Sequence, residues 1–303
     1  MMRWREWPIK EIKATDVNFP EGLKKIKPGI KALYYRGRWD DRMWQKTLSV
    51  VGSRRMTRYG REMVEMLMPG LVANKITVIS GFMYGIDTYS HQKCIELGGK
   101  TVAVLGCGLD VLYPRENDQL YSDIVSHDGL VISEYECKFT PTLWSFPQRN
   151  RIVAGLATLG VVVVEAGIKS GSLITARLAK KQSKRVMAIP GPVTSKLSEG
   201  TNWLIKEGTA TLITGYEDIE GGLKEQEQYV LFEKEDKETG EFLSCFEAGG
   251  ITVDELAVKL GINVSEVTIR LTRLLMENKI QEENGLFYRR LPTFKINNVL
   301  KSG

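Results

Sequence analysis

From Lys31 onward, short runs of β-branched and apolar residues alternate with helix-length segments. The runs are Ala32 to Tyr35, Leu48 to Val51, Thr77 to Ser80, Val102 to Leu105, Val131 to Glu134, Val161 to Glu165 and Val186 to Ile189. Strands separated by helices predict βαβ units and a parallel sheet, because parallel neighbours need a crossover that a helix supplies. The run Val161-Val162-Val163-Val164 is apolar on both faces of the pleat. It is therefore expected to be central, with helices covering it on each side. Several runs end in glycine, directly at Gly52, Gly81 and Gly106, and one residue further on at Gly167 and Gly191. The carboxyl ends of parallel strands form the ligand crevice of such a sheet, and glycine there lets backbone approach a ligand closely.

After Gly221 the pattern changes. The chain turns polar, with the run Glu233 to Glu238 entirely charged, which predicts a linker over residues 221–244. Val253 to Leu260, Gly261, Val264 to Met276, and Ile280 to Tyr288 around an Asn284-Gly285 turn then read as helix, turn, helix and hairpin. That order predicts a winged helix over 245–290, followed by a tail over 291–303. The organisation expected is thus an N-terminal extension over 1–30, an α/β parallel-sheet domain over 31–220, the linker, the winged helix and the tail.

Composition narrows the function classes. The 303 residues are 43% hydrophobic and 26% charged, with a net charge of +5. No apolar run approaches the roughly 20 residues a bilayer span needs, and Met1 to Lys10 alternates charge with Trp, unlike a signal peptide. A cytoplasmic protein with no membrane contact is expected. The four cysteines form no CxxC pair, which argues against a disulfide framework or structural zinc, and no metal or cofactor is expected. The charge is uneven: residues 1–220 hold 31 basic and 23 acidic side chains, net +8, against 11 and 14, net −3, in 221–303. An anionic partner would prefer the larger part.

Four loops carry candidate chemistry. Gly52-Ser53-Arg54 follows a strand and precedes a helix, so backbone N–H groups, a hydroxyl and a guanidinium meet at a helix N-terminus, where phosphate is favoured. An arginine capping an exposed loop would read the same way. The second junction, Ser80 to Asp87, passes through Gly81 and Gly85 into a helix, and the two loops are expected to face each other. Asp87 and His91 fall at i and i+4 there, and with no third ligand in view a structural Asp–His hydrogen bond is expected in preference to a metal site. The third segment, with Arg149, Asn150 and Arg151, alternates cations and amides near a helix start, which suits a phosphate backbone. The fourth, Lys169-Ser170-Gly171-Ser172 with Thr175 one turn on, is a second anion cradle. The loop from Pro190 to Asn202 borders the same edge.

Taken in order, GSR with a following Tyr-Gly, SGxxxGID, GCGLDxxYPxEN, FPxRNRIxAGL, EAxxxSGSLITA and PGPxxxxxxxGTN resemble the DNA-processing protein A family (DprA, also called Smf) from about Phe19 to Thr214. The resemblance implies an extended Rossmann-like sheet that binds single-stranded DNA without sequence preference, protects it, and loads a RecA-type recombinase in natural transformation, as a homodimer. Carried over by motif, Gly52, Ser53, Arg54, Gly81, Gly85, Arg149, Asn150, Arg151, Ser170, Gly171, Ser172 and Thr175 would line the phosphate pocket. Met83 and Ser90 depart from the family's usual small residues, which bears on the pocket's shape. The stretch before Phe19 is too short for the helical N-terminal module of several relatives.

Two other classes stay open. One is an enzyme resembling the nucleotide phosphoribohydrolases of the lysine-decarboxylase-like (LOG) group, although SGSLITA stands where that group has PGGxGTxxE and lacks its Glu. The other is a regulator that reads duplex DNA through the winged helix. With no convincing nucleophile or general base, the favoured expectation is a binding protein and not an enzyme. The winged helix, with seven acidic and six basic residues over 245–290, is expected to contact protein more than duplex DNA.

Overall fold

The computed structural model describes residues 3–221, 242–246, 250–277 and 279–289. The chain divides into two compact units, residues 1–225 and 226–303. Among the described residues no helix is long and apolar enough to cross a membrane, and no cluster of His, Cys, Asp or Glu is suited to a metal ion.

The first unit is built on a nine-stranded sheet. Its strands are β1 (Lys10–Lys13), β2 (Ala32–Gly37), β3 (Thr47–Val51), β4 (Thr77–Ser80), β5 (Thr101–Val104), β6 (Leu130–Ser133), β7 (Gly160–Val163), β8 (Val186–Ala188) and β9 (Thr211–Leu212). The helices are α1 (Glu21–Lys24), α2 (Arg58–Ala73), α3 (Ile86–Glu96), α4 (Asp118–Ser126), α5 (Ser145–Leu156), α6 (Gly171–Lys181), α7 (Glu199–Lys206) and α8 (Glu217–Gly221). The strand order is β1-β2-β6-β5-β4-β3-β7-β8-β9. From β6 to β9 all neighbours are parallel.

Three expectations need correction. The Ala32 strand is not parallel: β2 pairs antiparallel with β6, and β1 antiparallel with β2. Only part of β2 is buried, and a partly open antiparallel strand at a sheet margin tolerates that where a parallel one does not. Residues 1–30 are not a separate extension, because β1 completes the sheet and Trp4, Phe19 and Leu23 are buried within it. The valine run of β7 is an inner strand between β3 and β8, whereas β4 holds the middle of the order.

Side-chain alternation decides which helices cover which face. Val161 and Val163 join a cluster with Ile152 and Val153 of α5 and Leu173, Ala176 and Ala179 of α6. Val162 and Val164 join Val64, Leu67, Met68 and Leu71 of α2 on the opposite face. Both faces of β7 are therefore dry, which is why four consecutive valines are tolerated there.

The second unit holds helices Val253–Leu260 and Val264–Met276 and an antiparallel hairpin of Ile280–Glu283 with Leu286–Arg289. A capping box of Thr252 and Glu255 starts the first helix, and Gly261, at φ 66°, ends it in the left-handed region. Asn284 and Gly285, both at positive φ, make the tight turn that the NG pair predicts. Leu256, Val267, Leu271, Leu274, Ile280 and Phe287 form a separate core with Phe242, Leu243, Cys245 and Phe246. The start of this unit therefore lies before residue 245. Most of the expected linker and all of the expected tail lie outside the described residues.

Candidate functional site

In chain order, β3 to β6 are laid down toward one edge of the sheet and β7 to β9 toward the other, so the order reverses between β3 and β7. At such a reversal the loops leaving the two strands diverge and leave a crevice above their carboxyl ends. The structure has a cleft of about 740 Å³ there. Eleven of the thirteen expected residues line it: Gly52, Ser53, Arg54, Gly81, Arg149, Asn150, Lys169, Ser170, Gly171, Ser172 and Thr175.

The cleft's charge comes from its rim. Arg54 and Lys169 are exposed and form no ion pair among the described residues. Arg54 leans on the Phe146 ring, with Cζ 5.8 Å from the centroid. The N-terminus of α6 opens into the same space, and Ser170 caps it by accepting from Ser172 N. The first N–H groups of a helix have no intrahelical partner and carry partial positive charge, so this end favours an anion. By contrast, a carboxylate already stands at the α2 N-terminus, where Thr57 caps the helix by accepting from Gly60 N. Glu165, fully buried at the end of β7, accepts from the Thr57 backbone N–H at 3.0 Å and from the Thr57 hydroxyl. Gly60 leaves the space this carboxylate fills, and Tyr59 donates to the Pro190 carbonyl oxygen. The GSR loop therefore offers its own groups to a ligand, while the Glu165 carboxylate makes the α2 end unfavourable for a second anion. Part of that loop is internally committed as well, since the Ser53 hydroxyl accepts from Arg55 N at 3.0 Å.

The floor differs from the rim. Arg149 is buried, and its guanidinium donates to the carbonyl oxygens of Gly81 and Val104 and to Asn150 Oδ1. Burial lowers its pKa to about 10, still well above neutrality. Beside it lies Asp87, 9% exposed, which burial pushes up to about 6 against the opposing pull of Arg149. A Cβ at Gly81 would meet both the Asp87 carboxylate and the Arg149 guanidinium, so glycine lets the strand end close over this pair.

Two expected residues lie outside the cleft. Gly85, at φ 75°, caps α3 where a side chain would strike the carbonyl oxygen of Ser53, so it joins the two loops without facing a ligand. Arg151 turns away. Its guanidinium meets Glu134 in a bidentate pair at 2.7 and 2.6 Å, and also donates to the carbonyl oxygens of Pro28 and Gln148. With its donors committed and its side chain 4% exposed, it is a buried structural cation and not a phosphate ligand. The expected Asp87–His91 hydrogen bond is also absent. His91 Nδ1 pairs with Thr101 Oγ1 at 2.6 Å, and burial lowers the ring's pKa to about 3, which keeps it neutral.

Sequence reasoning missed the supporting residues. Phe146 forms a wall of the cleft and Asp87 its floor. Asn117, from GCGLDxxYPxEN, donates to the Phe82 carbonyl oxygen at 3.1 Å and so holds the Gly81–Gly85 loop. Asn202 exchanges two hydrogen bonds with Gly191, which fastens the 190–202 loop whose Leu197 borders the cleft. Those motifs signalled importance, but only the fold shows that their asparagines hold loops.

The pattern that defines the family described as DNA recombination-mediator protein A matches residues 10–224. The DNA processing protein DprA of Streptococcus pneumoniae is 43% identical over 201 residues, which cover 66% of this chain and 70% of that protein. Protein Smf of Escherichia coli is 37% identical over 217 residues, 71% of this chain and 57% of its own length. Among solved structures, DNA processing protein A from Helicobacter pylori, described by its single-stranded DNA binding mode, is similar with a TM-score of 0.64 and 30% identity. The match covers 74% of this chain and 99% of that one.

Proposed function

The chain belongs to the DNA recombination-mediator protein A family, and on that premise we propose that the β3/β7 cleft binds single-stranded DNA without sequence preference. A DNA-processing role in recombination fits the relatives' names. The observation that carries the finer reading is the cleft itself: two rim cations outside any ion pair among the described residues, and the N-terminal end of α6, around a floor whose buried arginine is fixed by backbone carbonyls. Such groups hold phosphates, and phosphate contacts carry no base information. The strand so bound is protected and handed to a RecA-type recombinase by a homodimer acting in natural transformation, in the cytoplasm and without catalysis. The small second unit is a winged helix whose helix 264–276 spends Arg270 and Arg273 on Glu266 and Glu277, at 2.8 and 2.9 Å. Little positive charge is left on that helix for a duplex, which favours a protein contact.

The test is fluorescence anisotropy with single-stranded, double-stranded and mononucleotide ligands at two salt concentrations. Salt-sensitive binding selective for single strands is expected. Release of free base from a nucleoside monophosphate would instead support the hydrolase reading, with Asp87 as its candidate acid.

A further inference from the structure

Between Ala166 and Ser198 the chain contains seven Lys or Arg residues and no Asp or Glu. Its net charge of +7 nearly equals the +8 of residues 1–220 as a whole, and the fold arranges part of it as a line. Lys169 stands on the cleft rim, and Ile174 borders the cleft while remaining 37% exposed. Along α6, residues three, four and seven apart share a face, so Ile174 is followed by Arg177 and Lys181, with Lys180 alongside. Arg177, Lys180 and Lys181 are all exposed, and none forms an ion pair among the described residues. Arg177 lies over the Trp203 ring of α7, 6.0 Å from its centroid, which steadies the guanidinium at the surface. The opposite face of α6, with Leu173, Ala176 and Ala179, is spent on the core, so the basic face is the only one α6 presents outward among the described residues. Beyond its last turn, Lys184 approaches Gly22 of α1, where Lys24 and Lys25 are exposed.

We propose that the basic face of α6 is a second nucleic-acid contact, along which the sugar-phosphate backbone of a strand held in the cleft continues from Lys169 past Arg177, Lys180 and Lys181. The inference rests on the function proposed above and adds a surface outside the cleft. Three features favour a polyanion there: the row starts at the cleft, it extends along a helix of about 16 Å, and α6 itself carries no carboxylate. A cleft that takes only a short piece of strand gains reach from such a row, and the row is indifferent to base identity.

The test uses the full chain with Arg177, Lys180 and Lys181 all changed to Ala, a charge-keeping control with R177K, K180R and K181R, and oligo(dT) of two lengths. The short oligonucleotide spans only the cleft and the long one reaches down α6. The Ala variant should bind the short strand as the wild type does and the long strand about tenfold or more weakly. Its salt slope on the long strand should be shallower by about 2, at roughly 0.7 for each phosphate that is no longer neutralised. The control should restore both. Equal affinity and slope for wild type and Ala variant on the long strand would overturn the inference, as would an equal loss on both lengths. If the wild type binds neither length, the reading of the cleft itself fails, which is a separate outcome.

Discussion

Arg54 is the rim cation best placed to follow a ligand, being exposed and resting on an aromatic ring instead of a carboxylate. Its replacement by Ala should weaken single-strand binding by about 1 to 3 kcal/mol, the range for a charge-assisted hydrogen bond. Titrations against oligo(dT) and a mixed-sequence strand should show the same loss, since the contact is to phosphate. Asp87 gives a second prediction at this scale. A carboxyl whose pKa is raised by folding from 3.8 to about 6 holds its proton more tightly in the native chain. Its contribution to stability is present below about pH 4 and is lost as the pH rises through about 6. Relative to Asp87→Asn, the wild type should lose stability between about pH 4 and 6, by at most about 1.4 kcal/mol per pH unit. Thermal unfolding across that range checks it, and parallel profiles would mean that Asp87 titrates as an ordinary carboxyl.

At the scale of elements, the Arg151–Glu134 pair links α5 to the end of β6. Removing one partner of a buried pair strands a charge, so Arg151→Ala should cost about 3 to 5 kcal/mol of stability. Chemical denaturation measures it, and a variant as stable as the wild type would show that the pair contributes little. The two arginines illustrate what the sequence reveals. Glycine at the end of a β-branched run marked the junctions correctly, because strand and turn chemistry are local. Arg54 and Arg151 carry similar local signals, and what separates them is Glu134, 17 residues away from Arg151. The edge strands were illegible for a related reason. β1 reads Lys-Glu-Ile-Lys, with only Ile12 buried, and β9 is two exposed residues. Both owe their conformation to a neighbouring strand and not to their own composition. Likewise, i, i+4 spacing put Asp87 and His91 within reach of each other, but Thr101 on β5 claimed the imidazole.

For the whole molecule, the two units make separable predictions. Each has its own hydrophobic core, so removal of residues 222–303 should leave the first unit folded. That truncated chain should keep most of the single-strand affinity, because the cleft is built entirely from the first unit. A gel-shift assay with residues 242–303 alone and a random duplex at physiological salt should show no complex. Sub-micromolar binding there would mean that a few arginines outweigh the acidic residues paired with them.

The margin of the sheet farthest from β9 has a consequence for synthesis on the ribosome. β1 pairs only with β2, and β2 finds its other neighbour in β6, at residues 130–133. Nearly a hundred residues must therefore be translated after β2 before its partner exists. At about 5 to 20 residues per second this wait lasts on the order of 5 to 20 s. Throughout it, Trp4, Phe19 and Leu23, all buried in the finished fold, lack the strand that completes their sheet. Nascent chains stalled before and after the emergence of β6 should therefore differ sharply in how readily a protease cuts their first 40 or so residues, tying the last step of this margin's assembly to the emergence of β6.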